Sequence, residues 1–142
     1  METTLQSEST IRIHAPRDKV WEAITRPEIV KRYFFDADLK ADWRVGGEVV
    51  YRGFWDGDAF EDVAEISEYE EGYSVTMDFH EKYGRVTYTL VDQSEPRILN
   101  LSMHEFTTEV TVIQSGMGTQ EEVKQTHENW METLKRMKQI LE

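Results

Sequence analysis

The sequence predicts an α+β domain, a curved antiparallel sheet of six or seven strands wrapped around one long C-terminal helix, with two short helices after the first strand. Three observations predict it. Period-two alternation runs for about seventy residues from Gly46, the spacing of strands with one buried face. The closing stretch, Thr119 to Glu142, is about six helical turns long and places Val123, Trp130, Leu134, Met137 and Leu141 on one face. Between the first strand and the β run, Pro16 and Pro27 each open a short segment of helical spacing.

The elements follow in order. Thr10 to His14 alternates Thr, Ile, Arg, Ile, His, as a half-buried strand does. After Ala15-Pro16, Val20, Trp21 and Ile24 share a helix face; after Arg26-Pro27, Ile29, Val30, Tyr33 and Phe34 do the same. Strands are expected near Gly47–Arg52, Phe60–Tyr69, Tyr73–His80, Arg85–Val91, Arg97–His104 and Thr108–Ser115. Asp56-Gly57-Asp58, Glu71-Gly72, Tyr83-Gly84 and Ser94-Glu95-Pro96 supply turns between most of them. Glu105-Phe106-Thr107 has no strong turn former, so the border between the last two strands is weakly marked. Thr119 suits an N-cap, with Glu122 as the return half of a capping box, and Lys135, Arg136 and Lys138 near the other end suit the helix macrodipole.

Composition removes several function classes. The chain has 142 residues and a formal net charge of −12, so one domain spanning 1–142 is expected. Phosphate backbones and anionic membrane surfaces are poor partners for such a chain. With no cysteine there are no disulfides, thiolate nucleophiles or zinc–thiolate sites. The first residues, Met1-Glu2-Thr3-Thr4, have no signal-peptide character, and no apolar run suffices to span a bilayer; a cytoplasmic location without membrane insertion is the expectation.

The order strand, two short helices, antiparallel strands, long helix is that of the helix-grip fold. The chain resembles the family named for the activator of the heat-shock protein ninety ATPase, within the START-like (SRPBCC) superfamily. The resemblance rests on Ile13-x-Ala15-Pro16-x-x-x-Val20-Trp21, Thr25-x-Pro27-Glu28, Asp42-x-Arg44-x-Gly46-Gly47 and Asn129-Trp130-x-x-x-Leu134-x-x-Met137-Lys138-x-x-Leu141-Glu142, in that order over nearly the whole chain. It implies a cavity between sheet and long helix that takes a small hydrophobic or amphipathic molecule, lipid-like ligands included. It also implies two alternatives: a chaperone-ATPase or stress-response module, or a cyclase, lyase or hydrolase type of enzyme. The eukaryotic co-chaperone carries a separate N-terminal domain, and nothing of that kind precedes Thr10, so direct chaperone activation does not follow from the family name.

Six Met, four Trp, six Tyr and six Phe would serve either a core or a cavity wall. The inward-facing set is Phe60, Tyr73, Met77, Phe79, Tyr88, Trp130, Leu134 and Met137, and these are the candidate ligand-binding residues. Trp43 and Trp55 could rim a mouth or lie on the surface. Asp42 and Arg44 could clamp an anion, but with Gly46-Gly47 beside them a structural corner is the stronger reading. His14, His80, His104 and His127 form no metal-ligand spacing, so no metal and no cofactor are expected. Asp62, on the side of Phe60, Ala64 and Ile66, is an acid–base candidate, as are Asn100 and His104. No G-x-S-x-G or phosphate-cradling loop occurs.

The acidity is local. Residues 56–81 hold ten acids and no Lys or Arg, so −10 of the −12 lies in one expected hairpin. Its outer face is either a solvated surface that discourages edge pairing or a docking site for a chaperone or other basic partner.

Overall fold

The computed structural model describes residues 5–79, 84–93 and 106–142. The chain runs β1 (Leu5–Ile13), α1 (Arg17–Thr25), α2 (Pro27–Tyr33), β2 (Asp38–Ala41), β3 (Glu48–Trp55), β4 (Asp58–Glu70), β5 (Ser74–Phe79), β6 (Gly84–Asp92), β7 (Thr108–Met117) and α3 (Gln120–Leu141). One antiparallel sheet of order β1-β7-β6-β5-β4-β3-β2 contains all seven strands. This is the expected helix-grip architecture, with two differences in detail. The four-residue β2 was not legible as a strand, because its length gives alternation nothing to repeat. Tyr73 sits in the turn before β5, where its ring stacks under the Arg17 guanidinium at 3.9 Å. The strand expected over 97–104 lies outside the described residues, as do His80, Asn100 and His104.

The turns follow from backbone chemistry. Asp56 and Gly57 both take positive φ, 51° and 83°, in a two-residue loop between paired Trp55 and Asp58, the type I′ geometry that matches strand twist. In β4 the pairing with β5 shifts register between Ile66 and Glu68. The extra residue, Ser67, turns Tyr69 to the side of Ile66, so Tyr69 packs on Trp21 at 5.9 Å and on Trp43 at 6.5 Å. Trp43 is thereby part of an aromatic stack on the core.

Ile13, Val20, Ile24, Val49, Ile66, Val75, Met77, Val110, Leu134 and Met137 are among the core side chains, all 2% exposed or less. The N-cap forms as expected, with the Glu122 amide donating to Thr119 Oγ1 at 3.1 Å, but the Glu122 carboxylate accepts from the Gly118 amide rather than from Thr119. α3 lies along β1, where the small inward residues Ser7 and Ser9, 1% and 0% exposed, permit close approach. Its side chains also serve the open edge of β1. Lys138 Nζ donates to the Arg12 carbonyl at 2.9 Å, His127 Nδ1 lies 3.0 Å from the Glu8 carbonyl, and Glu142 accepts from the His14 amide at 2.8 Å. An otherwise free nine-residue edge is thus partly covered.

Candidate functional site

α3 is docked unevenly. Thr133, Leu134 and Met137 in its second half are buried, whereas Val123, Thr126 and Trp130 in its first half are only partly so. The first half stands away from the sheet face opposite it. A cavity of about 500 Å³ occupies the gap. Tyr51, Asp62, Met77, Phe79, Val86, Tyr88 and Gln114 form its floor, and Thr126, Asn129, Trp130 and Thr133 its roof. Phe34 and Phe35, after α2, and Asp58, Ala59 and Phe60, at the β3–β4 turn, complete the wall.

The walls are an aromatic web. Phe34 lies 5.3 Å from Tyr51 and 6.3 Å from Trp130; Tyr51 stacks on Phe79 at 6.4 Å; Tyr88 stands perpendicular to Trp130 at 5.7 Å. Phe35 has φ of 51°, the left-handed region that a bulky side chain rarely adopts, and this turn sets its ring on the cavity wall.

Several polar groups in and beside the wall are held by hydrogen bonds. Trp130 Nε1 donates to Gln114 Oε1 at 2.7 Å. An indole N–H only donates, so the amide oxygen must face Trp130 and the amide nitrogen turns the other way. The Tyr51 hydroxyl donates weakly to Met77 Sδ at 3.9 Å, and the Tyr33 hydroxyl donates to the Ala23 carbonyl at 2.6 Å. Burial pushes the Tyr33, Tyr51 and Tyr88 phenols up from their ordinary value, and mutual repulsion among them raises Tyr33 and Tyr88 further. They stay neutral donors at any physiological pH.

Of the residues singled out in the sequence, Phe60, Met77, Phe79, Tyr88 and Trp130 come together on the cavity wall. Leu134 and Met137, 0% and 1% exposed, belong to the core beneath α3 instead, because the helix is in full contact there. Tyr73 faces solvent beside Arg17, since it precedes the strand whose alternation assigned it inward. Asp62 does reach the wall. The Trp55 side chain is outside the described set. His14 lies by Thr107, at 3.2 Å, and His127 by Ser9, at 2.9 Å; neither borders the cavity. No cluster of three or more metal-binding side chains occurs among the described residues.

Sequence reasoning missed Phe34 and Phe35 as wall residues, and also Tyr51 and Gln114. For Gln114 a signal existed: it continues the inward row of Val110 and Val112, so an amide there was a polar group in an apolar row. The Asp42–Arg44 pair is the structural corner that its glycines suggested. Arg44 Nε donates to Asp42 Oδ2 at 2.6 Å, and a Cβ on Gly47 would lie 1.9 Å from the Asp42 carbonyl oxygen.

No helix among the described residues is long and apolar enough to cross a membrane. Comparison with curated proteins returns no match. Among solved structures, ChR145 from Cytophaga hutchinsonii is 31% identical with a TM-score of 0.77, the alignment covering 99% of this chain and 96% of that one. DynU16, a protein of the dynemicin biosynthetic locus, is 26% identical with a TM-score of 0.71, covering 96% of this chain and 46% of that one. The Aha1 dimer from Colwellia psychrerythraea shares the fold at 15% identity, with a TM-score of 0.70 and coverage of 97% and 96%. The family described as activator of Hsp90 ATPase homolog 1-like protein matches residues 14–142, nearly the whole helix-grip domain, and the chain belongs to that family.

Proposed function

We propose that this protein encloses a small hydrophobic or amphipathic molecule between its sheet and the first half of α3. The observation that carries the reading is the cavity itself. About 500 Å³ of space walled by seven aromatic side chains adjoins a core whose large side chains are close to fully buried. That size is within the range of small-molecule sites, and a lining of aromatic and apolar side chains with placed polar groups is the pattern such sites show. An interior with no occupant would be expected to pack shut, because unfilled space forfeits dispersion contacts.

Native mass spectrometry of freshly purified protein is expected to show a co-purifying small molecule. Val86, 3% exposed at the centre of the floor between Met77 and Gln114, is the position from which to fill the cavity. Val86→Trp is expected to weaken binding of a hydrophobic dye roughly tenfold or more in the folded variant, at some cost in Tm from overpacking a buried site. Unchanged dye affinity in a folded Val86→Trp protein would place the binding elsewhere.

A second reading is favoured by the outer face of the acidic hairpin. Arg52 pairs with Glu61 and Arg85 with Asp78 at 2.8 Å, but Glu65, Glu68, Glu70 and Glu71 remain exposed. That row suits a basic protein surface, and the chaperone for which the family is named is the partner to test first. Changing these four to Gln is expected to remove chaperone capture at low salt; capture that survives would end this reading while leaving the cavity untouched.

A further inference from the structure

The charged side chains on the described wall, Asp58 and Asp62, are both acidic, and no Lys, Arg or His stands among the described lining residues. Asp58 is exposed and marks the mouth. The deep end is made by Tyr51, Tyr88 and Gln114, which are 5%, 4% and 9% exposed. There Tyr88 and Gln114 can both donate, the Gln114 amide nitrogen as a donor only. Gln114 keeps its oxygen on Trp130 and offers its amide N–H groups away from that bond. The Tyr88 hydroxyl belongs to the same wall. Burial holds it in the protonated, donating form. A donor that faces the ligand space is stabilised when something accepts from it.

A carboxylate or phosphate headgroup would also accept, but it would have to shed its water with no cation on the described wall to replace it. An uncharged oxygen carries no such cost. Resting on the cavity reading above, we propose that the ligand is an uncharged apolar molecule with a carbonyl-type oxygen at its inner end, held by the Gln114 amide and the Tyr88 hydroxyl, and that anionic lipids are excluded. The aromatic web fits a flat carbon skeleton, because ring faces at these separations stack on planar groups.

The test is a matched series on one skeleton, 2-ethylnaphthalene, 2-acetylnaphthalene and 2-naphthoate, titrated into the full chain by calorimetry at pH 7. The ketone is expected to bind roughly tenfold tighter than the hydrocarbon, the gain of one to two buried hydrogen bonds, and the carboxylate to bind weakest. Tyr88→Phe keeps the ring and removes the donor, and is expected to cut the ketone-to-hydrocarbon ratio several-fold. Gln114→Met should do the same, and Tyr88→Phe keeps the test valid if loss of the Trp130 contact unfolds the Gln114 variant. Equal binding of ketone and hydrocarbon, or tightest binding of naphthoate, would overturn the polarity assignment and leave the cavity reading standing. Failure of all three to bind would remove both.

Discussion

Gly47→Ala is expected to lower the unfolding free energy by about 3 kcal/mol or more, a severe loss for a single methyl group. The cause is contact, not backbone conformation. A Cβ at Gly47 would stand 1.9 Å from the Asp42 carbonyl oxygen and 3.0 Å from that of Arg44, both backbone atoms that cannot swing aside. The chain is pinned on both sides: the Asp42 amide donates to the Glu48 carbonyl at 3.0 Å, and the Ile66 amide to the Gly47 carbonyl at 2.9 Å. Gly46 is the internal control. It takes φ of +85° with nothing within 4 Å of its missing Cβ, so Gly46→Ala should cost only about 1 kcal/mol of backbone strain. Chemical denaturation of the two variants decides the matter. Equal losses would mean that left-handed geometry, not close approach, governs the corner.

Leu134→Ala is expected to cost about 3–4 kcal/mol, the range for a large buried side chain whose surroundings cannot collapse. Leu134 is 0% exposed, and its neighbour one turn on, Met137, is 1% exposed. Val123→Ala, in the half of α3 that stands off the sheet, should cost less than about 1 kcal/mol. The contrast predicts a gradient along a single helix, anchored at its C-terminal half and loose at the half that roofs the cavity. Native-state hydrogen exchange should find amides near Val123 to Trp130 opening at lower free energy than those near Leu134 to Met137. Uniform protection along α3, or similar costs for the two alanine variants, would contradict the uneven docking.

How far the sequence led depends on how each feature is encoded. Long alternations and a long helical face survive any packing detail, so β3 to β7, both short helices and α3 were legible from Val, Tyr, Trp and Leu spacing. β2 was not, since four residues carry too little pattern. Tyr69 shows a subtler failure. Strict alternation from Phe60 would set Glu68, not Tyr69, on the inner face, and only the extra residue at Ser67 turns Tyr69 inward. On the candidate site, alternation selected Phe60, Met77, Phe79 and Tyr88 because a strand's face is a local property. It misassigned Tyr73 because the strand began one residue later than its apolar pattern.

What the sequence determined by itself, then, was the order of the elements other than β2, the inward rows where alternation runs unbroken, the capped start of α3, the close-packed glycine corner and the concentration of acid in residues 56–81. All of these are fixed by neighbours within a few residues along the chain. Whether an inward residue fills the core or borders a cavity was decided only in three dimensions. Trp130 and Leu134 are one helical turn apart on one apolar face, yet the first roofs the cavity and the second is sealed against the sheet. Periodicity records direction, not distance. The separation of the first half of α3 from the sheet, and with it the place of Gln114 on a cavity wall, arises only when both are assembled.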